Sequence, residues 1–502
     1  MKMTIQQYKT KFPLFKNFSF LLVSVAFMLS FASCSDNHKT ASETNKVAAI
    51  FPEYYGSTLP PNIAPLNFII KEPGSKFRVE ITGESGKPIV IRQSSPKIKI
   101  PLKNWHKLLD ANTGKSISVD MWSFADEKWS KYKSIKHQIS NEPIDPVLVY
   151  RLVYATYLKW NKMGIYQRDL TNFDETAIIE NNSTDGGCMN CHTFSKNNPS
   201  KMAMHFRIIH PGTMIWNNGK LTKTNTKTDE TMSAGIYPAW HPDGIHIAFS
   251  TGKISPHLTT RSYKPVDVAD KASGLFVYNT EKNTTTTAPE ISTSRRESMP
   301  EWSADGKYLY FTSAPEAHKG DDESLLHSQY SLMRIAFDPE TESWGKTEEV
   351  LNADSVGMTI SMPAASPDGR FMACSMSDYG YFTIFHQNSD LYLIDLETRE
   401  YKKMELNSNT AESHSSWSLN SRWLVFSSKR LDGVMTRPYI SFIDTNGVAH
   451  PPFVLPQEDP EMYDLLQANY NRPDLVTGTV ELSPIEIRNI VAEEAKNVNE
   501  GE

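Results

Sequence analysis

Cysteine is scarce, 4 in 502 residues, too few for a scaffold held together by disulfides. No apolar run approaches the roughly 20 residues that a bilayer-spanning helix takes, which excludes a polytopic helical membrane protein. The body of the chain has no long Lys/Arg run. With 52 basic against 58 acidic side chains and a formal charge of -6, it offers no electrostatic footprint for a nucleic-acid backbone. G-x-S-x-G, Walker-loop, H-E-x-x-H and GxGxxG patterns are all missing, so hydrolase and nucleotide-binding readings have no positive support. What remains is an ordinary globular composition, 39% hydrophobic and 22% charged, with room for two or three domains.

The first 33 residues stand apart. Lys2, Lys9, Lys11 and Lys16 precede an apolar stretch from Phe18 to Phe31, then Ala32-Ser33 and Cys34. This is the layout of an export signal. Because the cysteine follows small residues directly, the segment resembles a bacterial lipoprotein signal, with ordinary secretion as the alternative. The resemblance implies cleavage before Cys34, acylation of that residue and, with Ser35 rather than Asp next to it, an outer-membrane destination. Removal of four lysines takes the formal charge from -6 to -10. Residues 34–64 then read as a polar tether on a lipid anchor.

From 65 to 141, runs such as Phe77-Arg78-Val79-Glu80-Ile81 and Lys97-Ile98-Lys99-Ile100 alternate between Gly, Pro and Ser clusters, which predicts a small antiparallel β-sandwich. Asp145-Pro146 looks like a helix start, with Val149, Leu152, Val153 and Tyr157 at helical spacing up to Gly164. Residues 165–200 are polar and Gly/Asn-rich, and are expected to be mostly loop.

The rest repeats itself. Pro238-Ala-Trp-His-Pro-Asp-Gly-Ile-His-Ile-Ala-Phe-Ser250 superposes without gaps on segments starting at Pro300, Pro363 and Ser415. Each reads strand, tight turn, strand, with Asp-Gly or Asn-Ser supplying the turn. A further hairpin after each unit, as at Gly274–Tyr278 and Asp390–Asp395, gives about four strands per repeat, which is a propeller blade. The pattern is similar to the TolB-type, WD-repeat-like β-propeller family, departing from it at Ala365 and at Leu419-Asn420-Ser421. The expectation is a mainly β protein with a propeller over 201–480. A degenerate blade at 202–226 brings the count to five, and the chain ends are available to close a sixth. Ser483-Pro-Ile-Glu486 is a capping box for a helix in the last segment, 481–502. Trp240, Trp302 and Trp417 occupy equivalent repeat positions and read as blade packing. Cys374 replaces a repeat phenylalanine as a buried thiol.

One run carries chemistry, Cys188-Met189-Asn190-Cys191-His192. C-x-x-C-H is the attachment pattern of haem c: two thiols three apart add to the two vinyl groups and the adjacent imidazole reaches the iron. A local disulfide, a thioredoxin-like pair and a zinc site are weaker readings, because they leave His192 unused, lack a βαβ context or lack a fourth ligand. Met202, Met204, His205 and His210 are candidates for the sixth iron position. Strand alternation puts Met202, Met204 and Phe206 on one face and His205 and Arg207 on the other. We favour His205, because Arg207 beside it could pair with a haem propionate. His241, His327, His386 and His414 read as surface residues at turns or strand ends, with a propeller-channel pocket as the other reading.

These features lead to three expectations of different kinds. The first is a lipid-anchored monohaem c protein exchanging electrons with an envelope partner. The second is a non-haem binding propeller with a Cys188–Cys191 disulfide, and the third is a haem enzyme with an open iron position.

Overall fold

The computed structural model describes residues 38–154, 162–258, 264, 266–317 and 322–500. The export segment and Cys34 lie outside the described residues. The N-terminal domain starts earlier than its alternation suggests. Within the expected tether, Ser42–Val47 pairs in parallel with Lys128–Lys133, and Thr58–Leu59 with Ile135–Ile139. Ala48, Ile50, Tyr54, Leu59 and Ile63 are buried there, so Ser42–Val47 is an exposed edge strand of the domain and the chain enters its core from Ala48 onward.

A seven-stranded sheet built around Ser116–Ala125 and a three-stranded sheet of Ile50–Phe51, Phe68–Ile70 and Lys97–Ile98 form the two β layers. An unforeseen helix, α1 (Leu102–Ala111), joins them by burying Trp105, Leu108 and Leu109, an i, i+3, i+4 stripe. The apolar cluster of this domain runs without a break into Trp423, Phe453 and Tyr470 of the propeller.

Six four-stranded antiparallel units form a ring. Their inner strands are β1 (Cys188–Phe194), β2 (Ile236–Trp240), β3 (Arg296–Trp302), β4 (Thr359–Ala365), β5 (Glu412–Trp417) and β6 (Ala468–Val476). Each inner strand packs against the next, and β6 against β1. The protein is therefore a six-bladed β-propeller. The expected helix over 145–164 is instead part of the sixth blade: Val147–Tyr154 and Met163–Asp169 are paired strands, and Val147–Tyr154 also pairs with β6. A central strand buried on both faces carries a continuous apolar run, and Val147-Leu-Val-Tyr150 satisfies helical spacing as readily as strand burial. The expected loop at 165–200 likewise contributes Glu175–Glu180 and β1. Blade six thus joins residues near 150 to residues near 470, which locks the ring.

The C-terminal helix, α2 (Pro484–Ala492), forms where its sequence signature places it, with the Ser483 side chain accepting from the Ile485 N–H. Lys223 reaches the other end and donates to the Val491 and Glu493 carbonyls, a cationic cap on otherwise unpaired groups. Beyond α2, Lys496–Asn497 and Asn499–Glu500 add in parallel to the outermost strands of blades one and two. They cover two sheet edges that would otherwise be open.

Candidate functional site

All six inner strands share one irregularity. In each, three residue steps oppose two on the neighbouring strand, between Asn190 and Thr193, Ile236 and Ala239, Ser298 and Glu301, Ser361 and Ala364, Ser413 and Ser416, and Asn471 and Asp474. Tyr237, Met299, Met362, His414 and Arg472 sit at this bulge with φ between 46° and 52°, a left-handed conformation rarely held by residues with side chains. Five such residues at one level, each costing on the order of 1–3 kcal/mol, mark a built feature rather than an accident. By register the sixth place is that of Cys191-His192. The C-x-x-C-H run therefore lies on an inner strand of the ring, at the bulge that Pro238, Pro300, Pro363 and Pro473 mark in four other blades.

Above the bulge ring, on the side of the tight turns, residues from every inner strand enclose an axial cavity of about 430 Å³. Its polar wall includes Glu301, His414, Arg472 and Asp474, with Lys196 at the mouth. Burial raises Glu301 to about 7 and Asp474 to about 6. It drives His414 down to about 3, with Arg472 and Arg151 adding repulsion. His414 Nε2 is buried with no hydrogen-bond partner.

His192 is buried next to this wall. Its Nε2 lies 3.4 Å from Asp474 Oδ2, and neither atom has a hydrogen-bond partner. The ring is bonded to the Val149 backbone, and burial, reinforced by Arg472 and Arg151, pushes its pKa down to about 3. A neutral imidazole held through one nitrogen with the other left free is the form a metal-bound histidine takes. His192 would suit a ligand role toward a bound iron.

Cys188 is placed differently. It pairs across the sheet with Arg207, and Asn190 with His205, so these four share a face. Beyond the bulge, Thr193 pairs with Ala203 and Phe194 with Met202. This puts His192 and Phe194 on the opposite face, and their rings lie 6.3 Å apart. The expected division of Met202, Met204 and Phe206 from His205 and Arg207 is the one observed. It also separates His205 and Arg207 from His192. The Cys188 thiol is free, 3.6 Å from Arg207 Nη2. A haem held by both Cys188 and His192 fits only if residues 188–190 turn out of the sheet.

The remaining candidates are occupied elsewhere. His205 Nδ1 lies 3.2 Å from Thr213 Oγ1, and His210 Nε2 lies 2.8 Å from Asp185 Oδ2 near the surface. Met202 and Met204 are fully buried in an apolar cluster with Val149 and Met189. His241 and His386, read as surface residues, are buried. His241, Asp243 and His246 bring three potential ligand atoms together. The bonds there are already made, however: His241 Nε2 donates to the Gly306 carbonyl, His241 Nδ1 accepts from the Asp243 N–H, and His246 Nδ1 meets Asp243 Oδ2 at 2.6 Å. Ser303–Asp305 and Ser366–Asp368 brace the same turn in the next two blades, so this is hairpin architecture. The bulge ring itself was missed in the sequence, although the proline opening three aligned repeats is its signal.

No family model and no curated protein matches the chain. Among solved structures, a nidogen/laminin complex overlaps 66% of this chain and 98% of its own at 8% identity and a TM-score of 0.40. A hypothetical selenium-binding protein from Sulfolobus tokodaii overlaps 82% and 96% at 9% identity, also with a TM-score of 0.40. The β-propeller domain of Cps50 (Swd1) from "Myceliophteria thermophila" overlaps 63% and 90% at 9% identity and 0.31. The propeller assignment rests on the six sheets and their closed ring.

Proposed function

We propose that this chain is a monohaem c redox protein of the cell envelope, anchored by lipid at Cys34. Haem c joins Cys188 and Cys191, with His192 as iron ligand. The observation that carries this reading is the buried, neutral His192 imidazole with a free Nε2, inside a C-x-x-C-H run that lies beside the axial cavity. Bound haem supplies one-electron exchange at the iron. The chain's own part is to hold His192 in one orientation through Val149 and to exclude water around it. A single redox centre implies a partner that docks close to it.

The position of Cys188 on the far face favours a second reading, a haem-free propeller that binds a ligand or protein at its axial cavity. Expression of the full chain, signal included, in a host that matures c-type cytochromes separates the two. Haem that survives a denaturing gel in the native chain, and is lost in a Cys188→Ala/Cys191→Ala variant, supports the first reading. No covalent haem, in a host that matures a control cytochrome, overturns it and leaves the binding propeller.

A further inference from the structure

We infer that the axial cavity is a binding site for a small carboxylate or similar planar oxyanion, held by the Arg472 guanidinium. This inference does not depend on haem. At about 430 Å³, the cavity is within the range of small-molecule sites, and it lies on the propeller axis where side chains from all six blades converge. Arg472 occupies the left-handed bulge of β6. Among the described residues its hydrogen bond goes to the Pro238 carbonyl, at 3.2 Å, and no carboxylate lies in ion-pair contact with it, although Glu301 and Asp474 are near enough to feel its charge. A guanidinium carries five donors in a planar fork, and Arg472 lines the cavity with only the Pro238 bond made. Such a fork matches the two oxygens of a carboxylate.

Most of the surrounding polar groups favour an anion. Lys196 adds a second cation at the mouth. Glu301, the carboxyl on the opposite wall, is lifted to about 7 by burial, so near neutral pH much of it carries a proton and offers a donor instead of a repelling charge. Asp474 is the opposing group, and its Oδ2 lies 3.4 Å from His192 Nε2. His414 Nε2, buried and unpartnered in the same wall, gives a bound molecule a second polar contact. The resulting arrangement has a fixed cation, an acid partly protonated near neutral pH and a free imidazole around the cavity, with Asp474 as the one opposing carboxyl.

The test is calorimetric titration of the full chain with acetate and nitrate as probes, and with acetamide as the neutral isostere. Saturable binding of an anion, with acetamide at least tenfold weaker, is expected. Arg472→Gln should weaken the anion on the order of tenfold or more, the loss expected for a charge-assisted pair, while Arg472→Lys retains part of it. If Arg472→Gln does not fold, Lys196→Gln at the exposed mouth takes its place, with an expected loss of about threefold. Absence of saturable binding by either anion overturns the inference. So does equal binding of acetamide, or unchanged affinity in whichever variant folds.

Discussion

Arg437 offers a direct test of how the ring is locked. Its side chain is buried to 1% exposure, and it donates to the carbonyls of Tyr463, Leu466 and Ala468 at 3.2, 2.7 and 2.5 Å. These residues lead into β6, the strand that closes blade six, so one guanidinium in blade five fixes the entry of the closing strand. Replacement by methionine keeps the bulk and removes the donors. Hydrogen bonds to a charged group are worth about 1.5–3 kcal/mol each, and three lost together bound the cost at about 4.5–9 kcal/mol. Local relaxation and water entry reduce this, giving an expected destabilisation of about 3–5 kcal/mol. Denaturant unfolding followed by tryptophan fluorescence reads the change, and limited proteolysis should show earlier cleavage near 460–470. A loss below about 1 kcal/mol would refute the idea that Arg437 pins the closure.

Two further outcomes follow from burial. His137 is buried in the N-terminal domain and pushed by desolvation down to about 4 from 6.5. Its neutral form therefore stabilises the fold above pH 6.5, and up to about 3 kcal/mol is lost as the pH falls through 4; His137→Leu should flatten that part of a stability-against-pH curve relative to the native chain. Trp423, with no exposed surface, donates its indole N–H to the Glu142 carbonyl and stacks edge-on to Phe442. Trp423→Ala should cost about 3–5 kcal/mol and should release the N-terminal domain and the propeller to unfold at different denaturant concentrations.

The propeller was legible because its signals are local: a turn dipeptide and an alternating strand repeat within 13 residues, as from Pro238 to Ser250. Blade six was not, because its strands are joined to β6 by a pairing that spans more than 300 residues, such as Val147 with Val476. Nothing near Val147 announces such a partner, so the apolar run there took the helical reading that its spacing also allows. The helix α1 had a signal in Trp105, Leu108 and Leu109 that the strand pattern around it masked. At the site, the identity of Cys188, Cys191 and His192 was plain, and so was the alternation that divides Met202 and Met204 from His205. What alternation alone could not supply was the one-residue bulge between Asn190 and Thr193, which turns His192 away from Cys188. His414 and Arg472 depend on the same device and carry no motif of their own.

The order of the strands along the chain also sets a clock. Cys188 emerges about 280 residues before the strand Ala468–Val476 that completes its ring. At about 5–20 residues per second, synthesis of that interval takes tens of seconds. Through it the His192 face of β1 has no Asp474 to meet. Residues 188–192 are therefore most accessible in a nascent or unfolded chain, before the last blade closes.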